Sequence, residues 1–322
     1  MKSKRIDIKY FLIKYALFIL IGCLWIFYGT QSEHFFTVKN LRSLLMNASP
    51  LLIYATGMTF ILILGEIDLS IGSVGALSAA CWILALTQWN CSLPVAFLIA
   101  LGIGIACGLV TGFLVVKLRI NAFMASLGMM FILRGACYLS VGGEQIITPK
   151  VVRNFAKVKI LTLSPLVAIS LVIAIAMMLI YKYTSFGRKM QATGCDRNAA
   201  RMVGIKVDRI RYIVFIISGA LAGIAGALQC TNLGILMPGS ICEGSEFLAI
   251  TACVLGGTSL AGGFGNIIPG TLIGVVFYYS IENGLGLLGA NVYLYPVVRG
   301  IVIYLAMVTD SLKRSIGMRN RK

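Results

Sequence analysis

Residues 93–116 read LPVAFLIALGIGIACGLVTGFLVV, a run of 24 residues without a charged side chain. A helix that crosses the hydrocarbon core of a bilayer needs about 20 mainly apolar residues, so this run predicts a transmembrane helix. Small residues at regular spacing let helix backbones approach closely in lipid. We therefore expect tight helix packing at Gly102, Gly104, Gly108 and Gly112, and at a second set, Gly219, Gly223 and Gly226.

Comparable apolar runs recur along the whole chain. Of its 322 residues, 59% are hydrophobic and 12% are charged, and the mean hydropathy is +0.92. A soluble domain carries about 25% charged residues, so most of this surface must face lipid. We predict an all-α, polytopic membrane bundle, with residues 1–322 as one transmembrane domain of about ten helices. The predicted spans are 11–30, 47–64, 71–89, 93–116, 121–141, 165–183, 211–230, 246–258, 267–288 and 292–310.

Lysine and arginine residues indicate the orientation of the bundle. With a cytoplasmic N-terminus, the inner connections and ends hold 18 Lys and Arg residues and the outer ones hold 6. Positively charged connections remain in the cytoplasm, so both termini are predicted to be cytoplasmic and the number of spans even. The net charge of +17 is then explained by topology and by anionic lipid, with no need for a nucleic-acid partner.

Two predicted spans are interrupted by glycine. The second runs into Leu64-Gly-Glu-Ile-Asp-Leu-Ser70, and the eighth into Leu255-Gly-Gly-Thr-Ser-Leu-Ala-Gly-Gly263. Irregular backbone at membrane depth persists only where it is buried in protein or lines a cavity, and such breaks often mark a transport path. Broken or re-entrant spans are one interpretation, and ordinary glycine-rich connections at the cytoplasmic edge are the other. The two stretches resemble each other faintly, which hints at internal duplication.

The longest inner connection, 184–210, differs from the others. Asp196 is placed to cap a short helix that begins near Asn198, and Gly204 is placed to end it. A short helix outside the membrane suggests a docking element for a cytoplasmic partner. A basic loop that only fixes topology is the alternative.

Several classes of site lack a motif in this sequence. There is no GxxxxGK[ST] phosphate loop, no GxSxG and no HExxH. The nine cysteines form no CxxC or Cys/His metal spacing, and His34 is the single histidine. We predict that the chain is not an enzyme, has no metal site and binds no cofactor itself.

The sequence resembles the permease subunit of ribose/arabinose/xylose-type ABC importers, the bacterial monosaccharide permeases. The motifs that carry the resemblance cover nearly the whole chain in the family's order: Gly65–Ser73, Ala122–Gly128, Leu133–Gly135, Gly194–Ile205, Leu248–Gly263 and Asn283–Leu285. The resemblance implies a plasma (inner) membrane protein that pairs with a second permease subunit. It also implies two ATPase subunits that carry ATP and Mg²⁺, and an external sugar-binding protein.

The same resemblance assigns roles to residues. It implies that 184–210 is the loop that couples to the ATPase, through Asn198, Ala199, Ala200, Arg201 and Gly204. It also shows one departure, because the family usually has a second glycine where this chain has Glu66. An extra carboxylate there alters gating or specificity, or simply reaches the cytoplasmic edge. Similar permeases carry the furanone-type signal autoinducer-2, so the resemblance does not identify the solute.

Polar residues inside or beside the spans are the candidates for a translocation path. They are Glu66, Asp68, Ser70, Asn121, Phe123, Glu246 and Asn283. Arg134 and Arg299 also fall within spans and are expected to snorkel or to pair with an acid, for which Glu282 is a candidate. The rival from another class is a secondary transporter that uses Glu66 and Asp68 as ion or proton groups. A membrane enzyme or a non-transport interaction protein is disfavoured by the absent motifs.

Overall fold

The computed structural model describes residues 8–158, 163–291 and 293–319. Part of the predicted topology rests on Lys2, Lys4, Arg5, Arg321 and Lys322, which lie outside the described residues. Within the described part, the chain is a bundle of helices with one short hairpin. The helices are α1 (Ile8–Gln31), α2 (Val38–Ile63), α3 (Ile71–Thr87), α4 (Leu93–Val116), α5 (Ala122–Ser140), α6 (Lys150–Lys157), α7 (Pro165–Tyr183), α8 (Ser185–Cys195), α9 (Arg197–Met202), α10 (Val207–Leu233), α11 (Ser245–Leu255), α12 (Leu272–Leu287) and α13 (Leu294–Arg319). The strands are β1 (Ile146–Ile147) and β2 (Ile235–Leu236).

Each predicted span overlaps one of these helices, and the helical membrane bundle is confirmed. Among the described residues, five helices are long and apolar enough to cross a membrane: α2, α4, α5, α7 and α10. The eleven residues of α11 span about 16 Å at 1.5 Å per residue, so α11 alone cannot cross a hydrocarbon core of about 30 Å. Residues 267–271 precede α12 at the start of the predicted ninth span, and the extended backbone of Ile268 (φ −126°, ψ 123°) interrupts helical geometry there.

Helix α2 forms the centre of the bundle. Every residue from Ala48 to Ile63 is buried, because α7, α10, α11 and α12 pack around it. On the other side of α10, α3 packs against α4 and α5. Helix α1 is peripheral and contacts α12, where Trp25 Nε1 donates a hydrogen bond to Ser280 Oγ at 2.8 Å.

Glycines bring α4 and α10 into backbone contact, as their spacing predicts. A Cβ on Gly104 would overlap the carbonyl oxygen of Gly219, and a Cβ on Gly223 would overlap that of Ala100. Gly226 faces Gly75 of α3 in the same way. Gly102 differs, because a Cβ placed on it would meet nothing within 4 Å. The prediction of close packing was therefore wrong for Gly102, which lies on the outward face of α4.

The connections between the described helices gather at two ends of the bundle. At one end, the antiparallel pair Ile146–Leu236 joins the predicted outer segments 142–164 and 231–245. At the other end, the predicted inner segments 65–70, 117–120, 184–210 and 259–266 lie together. We call these the outer end and the inner end.

Candidate functional site

Between α2 and α3 the chain leaves helical geometry in the linker 64–70. Gly65 has φ +69°, a left-handed conformation that glycine adopts without strain and that turns the chain out of α2. Asp68 Oδ1 accepts hydrogen bonds from Ser70 N at 2.9 Å and Ser70 Oγ at 2.6 Å. Burial raises the pKa of Asp68, and the hydrogen bonds from Ser70 oppose that shift. Asp68 and Ser70 thus satisfy each other at the start of α3.

The linker meets the second glycine-rich break at the inner end. Gly263 N donates a hydrogen bond to Ile63 O at 2.8 Å, and a Cβ on Gly262 would lie 3.1 Å from Gly65 Cα. A Cβ on Gly194, in the long inner loop, would overlap Ile63 O. The two breaks and loop 184–210 therefore share one backbone junction, which we call the inner junction.

Glu66 lies in this junction with its carboxylate buried. Glu66 Oε1 accepts hydrogen bonds from Arg211 Nε at 2.6 Å and from Arg197 Nη2 at 2.9 Å, and Arg211 Nη2 also contacts it. Arg197 Nη2 donates to Leu64 O at 3.1 Å as well. The Glu66 side chain is only 4% exposed. Glu66 therefore does not simply reach the aqueous edge, which was one of the two interpretations of this residue.

Loop 184–210 folds as the sequence predicts around Asp196. Asp196 Oδ1 accepts hydrogen bonds from Asn198 N at 2.8 Å and Ala199 N at 3.1 Å, which caps α9. Gly204, with φ +81°, follows the end of the helix. The first turn of α10 then begins at Val207.

The outward surface of α9 is apolar at its end. Met202 is 87% exposed and Val203 is 76% exposed, and Asn198, Ala199 and Arg201 are exposed with them. Ala200 differs from the other coupling-loop candidates, because it is buried against its own chain. It therefore seats α9 on the bundle and leaves its neighbours to face outward.

A polar cleft of about 810 Å³ opens beside the inner junction. It is lined by three predicted path residues, Glu66, Asn121 and Phe123, together with four arginines, Arg119, Arg197, Arg201 and Arg211. Asn121 Oδ1 accepts a hydrogen bond from Phe123 N at 2.9 Å, so it also caps α5. The arginines of this cleft were not among the predicted path residues. These arginines lie in inner connections or at the start of α10, where the sequence predicts only that they hold those connections in the cytoplasm.

A second cleft, of about 820 Å³, lies in the outer half of the bundle. Its lining combines charged groups with aromatic rings: Arg134, Glu243, Glu246 and Arg299, with Phe131 and Phe247. Ser73 also lines it, and the buried Ser73 Oγ has no hydrogen-bond partner among the described residues. Glu246 is thus the one predicted path residue that lines this outer cleft. The sequence pattern did not single out Ser73, Phe131 or Phe247.

The two intramembrane arginines are satisfied in different ways. Arg134 Nη1 donates to Ile241 O at 2.7 Å and Pro238 O at 3.4 Å, so it holds a carbonyl-rich loop instead of an acid. Arg299 Nε donates to Tyr278 Oη at 3.2 Å. Glu282 and Arg299 line the same cleft of about 340 Å³, and the described residues show no ion pair between them.

Asn283 is placed away from both large clefts. Asn283 and Asn40 exchange two amide hydrogen bonds, each of 2.8 Å, which join α12 to the first turn of α2. Asn283 also lines a smaller cleft of about 290 Å³ with Glu282. Its observed contacts fasten two helices together.

The described residues contain no cluster of three or more His, Cys, Asp or Glu side chains that could hold a metal ion. All nine cysteines are free thiols. Five of them are buried: Cys107, Cys137, Cys230, Cys242 and Cys253. They act as small apolar side chains there.

Comparisons with known proteins agree with this architecture. The family described as the permease component of branched-chain amino acid transport systems matches residues 40–307. The ribose import permease protein RbsC of Escherichia coli K12 is 37% identical over 304 residues, which cover 93% of this chain and 92% of that protein. The autoinducer 2 import system permease protein LsrC of Salmonella typhi is 33% identical over 305 residues, 94% of this chain and 86% of that one. No solved structure matches the chain.

Proposed function

This chain belongs to the family of transport-system permease components, and from that premise we propose that it is the membrane subunit of a bacterial ABC importer for a monosaccharide. The observation that carries the proposal is the 37% identity to a ribose import permease over 93% of the chain. A pentose of the ribose type is therefore the solute we propose. As a multi-pass permease component, the chain moves the solute and performs no chemistry on it.

The proposed assembly rests on the similarity to permease proteins of import systems. The sequence has no GxxxxGK[ST] phosphate loop, so in the proposed importer ATP and Mg²⁺ bind to separate ATPase subunits on the cytoplasmic side. We propose two such ATPases, a second permease subunit and an external sugar-binding protein. The exposed Met202 and Val203 at the end of α9 support an ATPase dock, since apolar side chains outside the membrane are suited to a protein partner.

The proposed topology has ten crossings in one transmembrane domain of the plasma (inner) membrane, with both termini in the cytoplasm. The lysine and arginine bias supports it. The short α11 would cross only together with the glycine-rich chain that follows it, residues 256–266.

We place the solute path between the outer and the inner cleft. The outer cleft supports this because charged side chains and aromatic rings suit a hydroxyl-rich ring, which needs hydrogen bonds on its edge and apolar contact on its face. Four of the predicted path residues line these clefts: Glu246 in the outer one, and Glu66, Asn121 and Phe123 in the inner one. We also propose Asp68, Ser70 and Asn283 as path residues, on sequence grounds alone. Their observed hydrogen bonds hold the start of α3 and join α12 to α2.

The test of this proposal is substrate-stimulated ATPase activity of the reconstituted complex. The chain is purified with its ATPase and combined with the binding protein loaded with ribose or with autoinducer-2. We expect ribose-loaded protein to raise ATP hydrolysis above that of the empty protein. Stimulation by autoinducer-2 alone would favour the second candidate solute, which the 33% identity to an autoinducer 2 permease suggests. Absence of stimulation by either would contradict the proposal.

A further inference from the structure

One buried carboxylate oxygen ties three segments of the inner junction together. We propose that Glu66 is a positioning residue that transfers the movement of α9 to linker 64–70 during transport. This inference rests on the proposed function, in which α9 docks on an ATPase. It adds a specific physical connection between that dock and the broken span.

The connection consists of two guanidinium groups on Glu66 Oε1. Arg197 is the first residue of α9, and its Nη2 lies 2.9 Å from Oε1. Arg211, in the second turn of α10, places its Nε 2.6 Å from the same oxygen. The Arg211 side chain is 12% exposed and that of Arg197 is 39% exposed. The three side chains, Glu66, Arg197 and Arg211, are called the clasp below.

The two arginines of the clasp lie on helices that are held to different degrees. Arg211 belongs to α10, a long helix held against α4 by backbone contacts at Gly104, Gly219 and Gly223. Arg197 belongs to a helix of six residues with an exposed outer surface. A displacement of α9 by a partner therefore moves Arg197 relative to Arg211, and Glu66 lies between them.

The clasp acts on the backbone that begins α3. Arg197 Nη2 also donates to Leu64 O, so it holds the linker at two points. Two residues after Glu66, Asp68 accepts the hydrogen bonds from Ser70 that start α3. Leu69 N donates to Ser126 Oγ of α5 at 3.0 Å, which connects the linker to the helix that lines both clefts.

The second carboxylate oxygen of Glu66 allows Arg197 to shift without losing its contact with Glu66. Glu66 Oε2 is buried and has no hydrogen-bond partner among the described residues. A buried acceptor without a donor is costly, so another arrangement that supplies one is favoured. Arg197 can therefore move from Oε1 to Oε2 as α9 shifts, while Arg211 keeps its bond to Oε1.

The closing experiment compares Glu66→Gln with wild type in proteoliposomes that contain the ATPase and the binding protein. Two quantities are measured: ribose molecules taken up per ATP hydrolysed, and amide hydrogen exchange of residues 197–203. We expect the uptake ratio to fall about fivefold or more, the lower end of coupling factors typical between linked sites. Amide exchange of 197–203 should become faster because α9 is no longer held by the ion pair between Arg197 and Glu66.

Two further variants make the comparison specific. Arg197→Gln, at a half-exposed position, should reproduce the lower ratio without unfolding the protein, and the double variant should be no worse than either single one. Arg209→Gln is the matched control, because it makes the same chemical change at an exposed position in the first turn of α10 that lines neither the inner nor the outer cleft. Its uptake ratio and amide exchange should equal those of wild type.

The outcomes separate this inference from the proposed function. Unchanged exchange and an unchanged ratio in both Glu66→Gln and Arg197→Gln, with ATP-driven uptake by wild type, would overturn the clasp and leave the proposed function intact. A wild-type complex without ATP-driven uptake would overturn the proposed function and the coupling role together. Faster exchange in Glu66→Gln would then show only that the clasp holds α9 in place.

Discussion

The contact between α4 and α10 gives a sharp test of the packing described above. Gly104→Ala adds one methyl group where the structure has no room. The new Cβ would overlap the carbonyl oxygen of Gly219 and lie 3.1 Å from Gly223 Cα. Backbone atoms cannot rotate away as a side chain can, so the two helices must separate. Overpacking of this kind costs about 1–3 kcal/mol of unfolding free energy.

The matched control lies two residues earlier on the same helix. Gly102→Ala makes the same chemical change where a Cβ meets nothing within 4 Å. Both variants gain the same helix propensity, up to about 1 kcal/mol, so their difference isolates the packing term. Denaturant unfolding in detergent, followed by the fluorescence of the three tryptophans, should show Gly104→Ala less stable than Gly102→Ala by about 1–3 kcal/mol. Equal stability of the two variants would refute the close contact.

Three further predictions concern the coupling loop and the outer cleft. Gly204→Leu places a bulky residue at φ +81° beside α9, so uptake and substrate-stimulated ATPase should be uncoupled while insertion into the membrane is normal; undiminished uptake and stimulation would contradict the docking role. Asp196→Ala removes the cap of α9 and should cost about 0.5–2 kcal/mol locally, seen as faster amide exchange of 197–202. Arg299→Met removes a charged donor from the outer cleft, and the KM for uptake should rise roughly tenfold, the equivalent of a hydrogen bond to a charged group; an unchanged KM would exclude Arg299 from the path.

Helix positions could be predicted where an apolar run has sharp ends. Helices α4 and α7 match their predicted bounds, since each begins at Ser-Leu-Pro or Ser-Pro and ends before polar residues. Helix α2 begins at Val38, nine residues earlier than predicted. The prediction left out residues 38–46 because they include polar side chains. Those groups find partners only in the folded bundle, as Asn40 does with Asn283. Such long-range amide pairs leave no pattern in the sequence.

The site shows the same division between local and distant interactions. The Asp196 cap and the Gly204 turn were predictable because their hydrogen-bond partners are two or three residues away. The partners of Glu66 were not, because Arg197 and Arg211 are 131 and 145 residues distant. The expectation that Arg134 snorkels or pairs with an acid also missed its partners, which are backbone carbonyls of the loop before α11.

Accumulation of labelled ribose can be measured in proteoliposomes that contain this chain, its ATPase and the loaded binding protein. We expect accumulation against a concentration gradient that requires ATP on the cytoplasmic side and disappears when the ATPase is omitted. Accumulation by the purified chain alone, driven by a proton or sodium gradient, would contradict this expectation and would identify a secondary transporter.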